Sequence, residues 1–564
     1  MPAALFASKE KFAIFMCLNI FTDMKIKSCH LLPLFLGAAL ALVSCSNDVP
    51  KAYGEPVFGT VKEDAPVAET TCGMVRGENR DGIAIFRGIP YGAPVSGEGR
   101  FLPAKPAQAW EGVRECTSNG PAAIQDGVPS ISGNPGGLGD YFNGGHPELF
   151  GTADEVKDED CLVLNVLTPG IDDARRPVVV YLHGGGFATG TGTLTLGADK
   201  WSREEDIVIV GVNHRLNVFG FLYLGALDPA YSSSGMAGML DLVLALRWVR
   251  DNIASFGGDP SQVTIMGESG GGMKVSTLMA MDSAHGLFSK AIVESGSNVV
   301  GNFSMEAAAA QTEILLGRLH LDHASWKQLL SLPAEEVLNA SRGLQLAPVA
   351  DDINLKYIPG NEILAYDISK DIPLLVGSSA DEMGVFVNVA EMGITEDNLV
   401  EKVAEGMRIP SGEAAKLVDA FKAADKKGNA PWHTYLNIVS MASFLGGGAF
   451  NQAMAYSSQG GAPVFHYLVE YDAPSPFGNG YDCAWHTADL PLQMRVVLHP
   501  QTEFLSKLMA HSWAAFIRNG DPSTPELPWP AFTPEERQVM VFDEQTCIEK
   551  DPTAPYRIDV RQGS

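Results

Sequence analysis

The sequence predicts an α/β fold in which a central, mostly parallel sheet is flanked by helices. Short apolar runs typical of buried strands alternate with segments of helical character such as Gly235 to Ala254, and this alternation indicates a doubly wound sheet. The strand-like runs are 177–182, 207–212, 263–266, 290–294, 373–377 and 464–471. Because no internal repeat or long low-complexity linker interrupts them, we expect residues 67–564 to form a single domain.

A glycine loop follows the first of these strand-like runs. Pro177 to Leu182 leads directly into His183-Gly184-Gly185-Gly186-Phe187, where the missing side chains leave backbone N–H groups accessible. Such donors stabilise the oxyanion that develops during acyl transfer, by roughly 3 to 4 kcal/mol per donor. We therefore expect Gly185 and Gly186 to donate hydrogen bonds to an oxyanion.

A serine within a short glycine-containing segment follows the run 263–266. The segment is Gly267-Glu268-Ser269-Gly270-Gly271, and glycines at its ends permit a strained strand-to-helix turn that exposes the serine hydroxyl. Ser269 is the predicted nucleophile, and the N–H of Gly270 is a third predicted oxyanion donor. In a chain with 59 glycines this pattern alone is weak, so a base and an acid must accompany it.

Candidates for the acid and the base follow two later strand-like runs. The run 373–377 leads into a polar segment that holds Asp381 and Glu382, and the run 464–471 precedes the loop that holds His486. A serine hydroxyl needs a histidine to take its proton, and that histidine needs a carboxylate to fix its tautomer. We expect His486 to be the base and Glu382 the acid, with Asp381 as the alternative acid.

The order serine, acid, histidine along the chain is that of α/β-hydrolases. Several segments also resemble the type-B carboxylesterase and cholinesterase family, over a range from about Cys72 to Asp543. The matching segments include Phe86–Tyr91, Glu159–Val166, Asn213–Leu216, Phe256–Pro260 and Asn519–Pro522. So many matches in the same order make a chance resemblance very improbable.

The resemblance implies an α/β-hydrolase fold with a deep active-site gorge and a Ser269–Glu382–His486 triad. It implies carboxylic ester hydrolysis through an acyl-enzyme, without a cofactor and without a metal site. The alternative is a catalytically silent adhesion or ligand-binding surface protein of the same family. A cholinesterase is disfavoured, because the stretch from Gly127 to Glu159 contains no tryptophan to stack on a choline group.

Two of the departures from the family pattern bear on disulfide pairing and on the pocket. The family usually pairs the cysteine equivalent to Cys161 with an upstream cysteine before a glutamine, but Ile124 stands there, which leaves Cys116 as a possible substitute. Gly270 stands where the family usually has alanine. From this second departure we expect a roomier acyl side of the pocket.

Four polar residues near these motifs have structural interpretations at the sequence level. His183 is expected to shape the glycine loop, and Glu268 to be a buried acid held by hydrogen bonds. His466 lies in an apolar strand pattern and is expected to be a core histidine. Asp489 is expected to cap the helix that follows His486.

The N-terminal region has the features of an export signal. Lys25 and Lys27 precede an apolar run from Leu31 to Val43, which is too short to span a bilayer and is typical of a signal-peptide core. The run ends at Cys45 in a sequence that resembles a bacterial lipobox, whose cysteine is lipidated after cleavage. We expect residues 1–44 to be the signal region, with Met24 as a candidate start, and residues 45–66 to be a tether.

The net charge of the chain limits the classes of molecule that it is expected to bind. The formal net charge is −27, which disfavours nucleic acid and anionic membrane surfaces as partners and leaves small neutral or cationic esters as substrates. Membrane attachment is expected only through the lipid on Cys45. We therefore expect an exported bacterial lipoprotein, in the outer membrane or facing the periplasm, with a secreted or soluble periplasmic protein as the alternative. The sequence leaves the oligomeric state open.

Overall fold

An eleven-stranded sheet lies at the centre of the protein. The computed structural model describes residues 65–126, 156–297, 303–356, 367–475 and 479–557. In chain order the strands of this sheet are β1 (Glu78–Arg80), β2 (Ile83–Pro90), β3 (Val163–Thr168), β4 (Arg176–Leu182), β5 (Val208–Val212), β6 (Gly258–Glu268), β7 (Lys290–Glu294), β8 (Leu374–Ser379), β9 (Val464–Val469), β10 (Gln538–Phe542) and β11 (Cys547–Lys550).

The sheet is parallel in its middle and antiparallel at both ends. The spatial order is β11-β10-β9-β8-β7-β6-β4-β5-β3-β2-β1. Every neighbouring pair from β10 to β5 is parallel, whereas the remaining pairs are antiparallel. All six strand-like runs of the sequence lie in the parallel part, so the predicted α/β class and mostly parallel sheet are confirmed.

Helices occupy the connections between the strands. The helix predicted from Gly235 to Ala254 is present with slightly tighter bounds, Ala237–Asn252. In chain order the α-helices are α1 (Asp199–Glu205), α2 (Asn217–Phe221), α3 (Ala237–Asn252), α4 (Gly270–Leu278), α5 (Met305–Arg318), α6 (Ala334–Ser341), α7 (Val389–Met392), α8 (Leu399–Met407), α9 (Ser411–Ala424), α10 (Pro431–Ala442), α11 (Phe444–Ser458), α12 (Leu490–Gln493) and α13 (Glu503–Asn519).

Smaller strand pairings lie outside the large sheet. A three-stranded sheet contains Val67–Thr70, Gly73–Arg76 and Val113–Glu115. Ala122–Ala123 pairs with Lys157–Asp158, and Phe303–Ser304 pairs with Val349–Ala350.

Both faces of the large sheet are covered, which explains why its strands are apolar without alternation. Along β4, Val178 and Val180 belong to one hydrophobic cluster, whereas Val179 and Tyr181 belong to another on the opposite face. All four side chains are 1% exposed or less. Parallel strands end at the same edge of a sheet, so the loops after β4, β6, β8 and β9 meet there.

The predicted export signal, Met24, Cys45 and almost all of the predicted tether lie outside the described residues. Within the described part of the chain, no helix is both long and apolar enough to cross a membrane. The cysteines of that part are all unpaired thiols, so neither Cys116 nor Cys72 is bonded to Cys161.

Candidate active site

Ser269 occupies a strained turn between β6 and α4. Its backbone torsions are φ 57° and ψ −122°, a combination that non-glycine residues rarely adopt and that costs about 1 to 3 kcal/mol. The turn is tight, because a Cβ added to Gly267 would lie 2.5 Å from the carbonyl carbon of Gly271. The N–H of Ser269 donates to the carbonyl of Glu294 on the adjacent strand β7, at 2.9 Å, and this bond holds the turn against the sheet.

The glycine loop lies directly against the start of α4. Gly185 and Gly186 have φ values of 83° and 61°, which favour glycine. A Cβ added to Gly270 would lie 2.3 Å from the backbone nitrogen of Gly186. The loop and the helix start are therefore in backbone contact, and the structure brings the predicted oxyanion donors Gly185, Gly186 and Gly270 into one region.

This contact changes the interpretation of Gly270. The sequence predicted that the missing methyl group would enlarge the acyl side of the pocket. In the structure, that space is occupied by the nitrogen, oxygen and Cα of Gly186. Glycine at this position permits close approach of two backbones, and the prediction of a roomier pocket is wrong.

Glu382 and His486 form a buried pair. The Nδ1 atom of His486 lies 2.5 Å from Oε2 of Glu382, and both side chains are nearly inaccessible to solvent. The other carboxylate oxygen of Glu382 accepts hydrogen bonds from the hydroxyl of Ser295 at 2.5 Å and from the N–H of Ser379 at 2.9 Å. A carboxylate fixed in this way favours the tautomer of neutral His486 that carries its proton on Nδ1, which leaves Nε2 as the basic nitrogen.

Asp381, the alternative acid, faces a different set of partners. Its carboxylate accepts hydrogen bonds from Nδ2 of Asn437 at 2.5 Å and from the N–H of Ala484 at 3.1 Å. It also pairs with Nε2 of His433 at 2.8 Å. These contacts link the segment that carries Glu382 to the loop that carries His486. Asp381 therefore supports the geometry of the pair without contacting His486.

Glu268 faces the other nitrogen of His486. Its Oε1 atom lies 3.4 Å from Nε2 of His486 and has no hydrogen-bond partner among the described residues. The expectation of an acid held by hydrogen bonds is therefore wrong for this oxygen. Ser269 and His486 share no hydrogen bond in the described chain, and such catalytic hydrogen bonds often tighten only in the transition-state complex. Ser269 directly follows Glu268 in the chain, so the nucleophile candidate is the neighbour of a residue that faces Nε2 of His486.

Further buried acids lie behind the histidine. Glu294 accepts hydrogen bonds from Nε1 of Trp513 at 2.7 Å and from Nε2 of Gln493 at 2.9 Å. Asp489 accepts one from the hydroxyl of Tyr467 at 3.1 Å. The side chain of Asp489 makes no capping bond to α12, so the predicted capping role is wrong.

The buried environment raises the pKa of two acids and of the histidine, for different reasons. Burial raises the pKa of Glu268 to about 8 and that of Asp489 to about 6, because a charged carboxylate loses its hydration. Burial alone would lower the pKa of His486, but the carboxylates of Glu268 and Glu382 outweigh it and raise this pKa to about 9. Titratable groups perturbed this strongly are typical of active sites.

Comparison with known proteins decides the family. The sequence matches the profile of the carboxylesterase family over residues 64–558. The chain belongs to the carboxylesterase family. It is 30% identical to para-nitrobenzyl esterase of Bacillus subtilis, with 87% of this chain and 97% of the relative covered. It is 31% identical to phenmedipham hydrolase of Pseudarthrobacter oxydans, with 88% and 99% covered.

Solved structures agree with this assignment. The crystal structure of a carboxylesterase from Geobacillus stearothermophilus superposes with a TM-score of 0.72 at 34% identity, covering 87% of this chain and 99% of that one. The α/β-hydrolase fold of this carboxylesterase is therefore confirmed, as is its assignment as a carboxylic ester hydrolase. A catalytically silent surface protein is not favoured.

The carboxylesterase also contains one group of side chains with metal-ligating atoms. Among the described residues, Asp381, His433 and Asp472 offer atoms within 4.8 Å of one another. Both oxygens of Asp381 already accept hydrogen bonds, one of them from the His433 ring. These contacts satisfy the buried groups without an ion.

The sequence did not lead us to expect Glu294 and Ser295 among the buried polar groups of the site. The signal was available in part, because Glu294 is a carboxylate at the end of the strand-like run 290–294. The fold brings that strand end between the nucleophile turn and the acid segment. His466 meets its expectation, since it is 2% exposed and its Nδ1 lies 2.8 Å from the carbonyl of Val376.

Proposed function

We propose that this carboxylesterase hydrolyses esters through an acyl-enzyme on Ser269, with His486 as the base and Glu382 as the acid of the triad. The observation that carries the proposal is the 2.5 Å contact between His486 and Glu382. It occurs at the sheet edge where the Ser269 turn and the glycine loop also meet. This combination provides a nucleophile, a base held in one tautomer and backbone donors in the same place.

The proposed reaction has two halves. In the first, Nε2 of His486 takes the hydroxyl proton of Ser269 while its oxygen attacks the ester carbonyl carbon. The N–H groups of Gly185, Gly186 and Gly270 stabilise the oxyanion. The bond to the alcohol breaks, and His486 gives its proton to the leaving oxygen.

In the second half, Nε2 of His486 takes a proton from a water molecule whose oxygen attacks the acyl carbon. The bond from that carbon to the Ser269 oxygen then breaks, His486 returns the proton to Ser269, and the carboxylic acid is released. Glu382 stabilises the imidazolium in both halves.

The proposed substrates are small, uncharged esters that carry an aromatic group. Two relatives are named for para-nitrobenzyl esters and for phenmedipham. The net charge of −27 supports the choice of uncharged over anionic substrates.

The test is hydrolysis of p-nitrophenyl butyrate by the wild type and by Ser269→Ala, His486→Ala and Glu382→Gln. We expect Glu382→Gln to lower kcat by about 10³- to 10⁴-fold, as loss of the orienting carboxylate does in serine proteases. Asp381→Asn tests the alternative acid, and we expect it to lower kcat much less than Glu382→Gln, because Asp381 makes no contact with His486 and acts only on the geometry of the pair. An organophosphate label located by mass spectrometry should be found on Ser269.

Two results would contradict the proposal. A folded wild type that neither turns over the ester nor takes the label would favour the silent surface protein. Loss of activity in Asp381→Asn, with activity retained in Glu382→Gln, would instead make Asp381 the acid of the triad in place of Glu382.

We also propose that the protein is exported and anchored by a lipid on Cys45. The proposal is supported by the apolar run from Leu31 to Val43, by the lipobox-like sequence that ends at Cys45, and by the polar residues that follow it. The alternative is an ordinary signal peptide that leaves a soluble periplasmic or secreted enzyme.

A further inference from the structure

A lysine is fully buried in the helix that begins at the candidate nucleophile. Lys274 lies in α4, five residues after Ser269, and is 0% exposed. Burial of an ammonium group costs several kcal/mol unless a carboxylate pairs with it. Among the described residues no carboxylate forms an ion pair with Lys274, and burial alone accounts for its lowered pKa. Because an unpaired buried lysine lowers the stability of the folded protein, the presence of Lys274 at this position requires an explanation other than stability.

Lys274 makes its contacts with the two ends of the glycine loop, which suggests a role in holding that loop. Its Nζ donates a hydrogen bond to the carbonyl of His183 at 2.7 Å. The same atom lies 5.9 Å from the centroid of the Phe187 ring, within the range of a cation–π contact. His183 and Phe187 flank Gly184, Gly185 and Gly186, so Lys274 holds the loop at both ends.

The neighbouring imidazoles do not compete for this role. The rings of His183 and His214 stack with centroids 5.0 Å apart. Burial, with Lys274 nearby, lowers the pKa of both histidines well below the usual range. Their Nε2 atoms have no hydrogen-bond partner in the part of the chain that the structure describes. Burial therefore favours the uncharged form of both rings, and Lys274 is the side chain of this cluster that joins α4 to the glycine loop.

We propose that Lys274 is a positioning residue that ties the nucleophile helix to the glycine loop and thereby fixes the N–H groups of Gly185 and Gly186 relative to Ser269. The inference rests on the proposed function, because it assumes that these N–H groups bind the oxyanion. Gly270 acts together with Lys274, since its backbone contact with Gly186 joins the same two segments at the centre of the loop.

The hydrogen bond of Lys274 to the glycine loop does not depend on the charge of the lysine, whereas the cation–π contact with Phe187 does. Burial lowers the pKa of Lys274 to about 7. The ammonium and the neutral amine both carry an N–H that can donate to the carbonyl of His183. The hydrogen bond is therefore available on both sides of that pH, and an apolar side chain is needed to remove it.

The test replaces Lys274 by methionine, which has a similar volume and no donor, in the full chain. Turnover of p-nitrophenyl butyrate gives kcat and KM. Inhibition by an alkyl trifluoromethyl ketone, whose adduct with serine carries an oxyanion, reports on the oxyanion donors directly. We expect kcat to fall about tenfold or more with KM changed by less than about twofold, because the lost interaction belongs to the transition state. The inhibition constant should rise by a similar factor as kcat falls.

Thermal unfolding separates positioning from a structural role. We expect Lys274→Met to unfold at the same temperature as the wild type or higher, because it removes an unpaired buried amine. Thr277→Val is the matched control. Thr277 is equally buried on α4, but its hydroxyl donates to Met273 of the same helix at 2.8 Å and not to the loop. We expect this control to keep kcat and the inhibition constant.

Three results would overturn the inference. One is an unchanged kcat and inhibition constant in Lys274→Met, and another is a Lys274→Met protein that fails to fold or loses activity in step with its stability. The third is an equal loss of kcat in Thr277→Val. An inert wild type would overturn the proposed function and this inference with it, whereas an active wild type with an unaffected Lys274→Met overturns the inference alone.

Discussion

At the scale of single residues, two carboxylates face the ring of His486 from opposite sides. Glu382 contacts Nδ1 and Glu268 lies near Nε2. In the proposed mechanism the first contact favours the tautomer that catalysis needs, whereas the second favours the protonated imidazole, which cannot act as a base. Glu268 therefore sets the pH at which the base becomes available.

We expect Glu268→Gln to shift the acid limb of the kcat/KM profile to lower pH by about one unit, the usual effect of a single nearby charge. The sign follows from the requirement for neutral His486. Glu268 raises the pKa of His486, so its removal lets the ring lose its proton at a lower pH. The measurement is kcat/KM for p-nitrophenyl butyrate between pH 5 and about 10.

Glu294→Gln is the control for this shift, because it also removes a buried carboxylate, and that carboxylate is bound by Trp513 and Gln493 and not by His486. An acid limb that stays in place in Glu268→Gln, or that moves equally in Glu294→Gln, would show that Glu268 does not tune the base.

The sequence predicted the residues of the site better than it predicted their surroundings. Ser269, Glu382 and His486 each follow a recognisable strand, so their position at one sheet edge could be inferred. The role of Lys274 could not, because a lysine in a helix is normally solvent-exposed and nothing local indicates burial. The contact between Glu268 and His486 depends on side-chain directions across two loops, which periodicity does not encode.

At the scale of elements, the start of α4 and the glycine loop behave as one unit. Their backbones touch at Gly270 and Gly186, and Lys274 joins them one turn further along the helix. The runs that became β4 to β9 were predicted because both sheet faces are buried and their apolar patterns are continuous. Strands such as β1 and β11 were not predicted, since each lies at a sheet edge with partly exposed residues.

We expect Gly270→Ala to lower kcat by about tenfold or more, since displacement of the glycine loop weakens the oxyanion donors. The added methyl group would overlap three backbone atoms of Gly186, which have no flexible side chain to move aside. The measurement is kcat for p-nitrophenyl butyrate.

Gly317→Ala is the control for that substitution. Gly317 lies in α5, and a Cβ there would meet no atom within 4 Å. It should leave kcat unchanged and stabilise the protein by up to about 1 kcal/mol, the usual gain from alanine in a helix. Full activity in Gly270→Ala would show that the loop can shift without loss of function.

At the scale of the whole molecule, metabolic labelling tests the proposed lipid anchor. We expect radiolabelled palmitate to label the wild type expressed in a bacterial host and not Cys45→Ser, because the cysteine after the cleavage site is the acylated residue. Cys29→Ser is the matched control, since Cys29 lies within the predicted signal region and should be dispensable. An exported but unlabelled wild type would favour an ordinary signal peptide.

The position of the site in the chain has a consequence for how the enzyme becomes active. The glycine loop, Ser269, Glu382 and His486 belong to segments separated by up to about three hundred residues, and they meet only when β4, β6, β8 and β9 are aligned. Contacts of such long range form late in folding. An emerging chain that lacks the segment after β9 carries Ser269, the proposed nucleophile, without His486, its proposed base. We therefore expect esterase activity to appear only after His486 has been synthesised and the strands of the parallel sheet have paired.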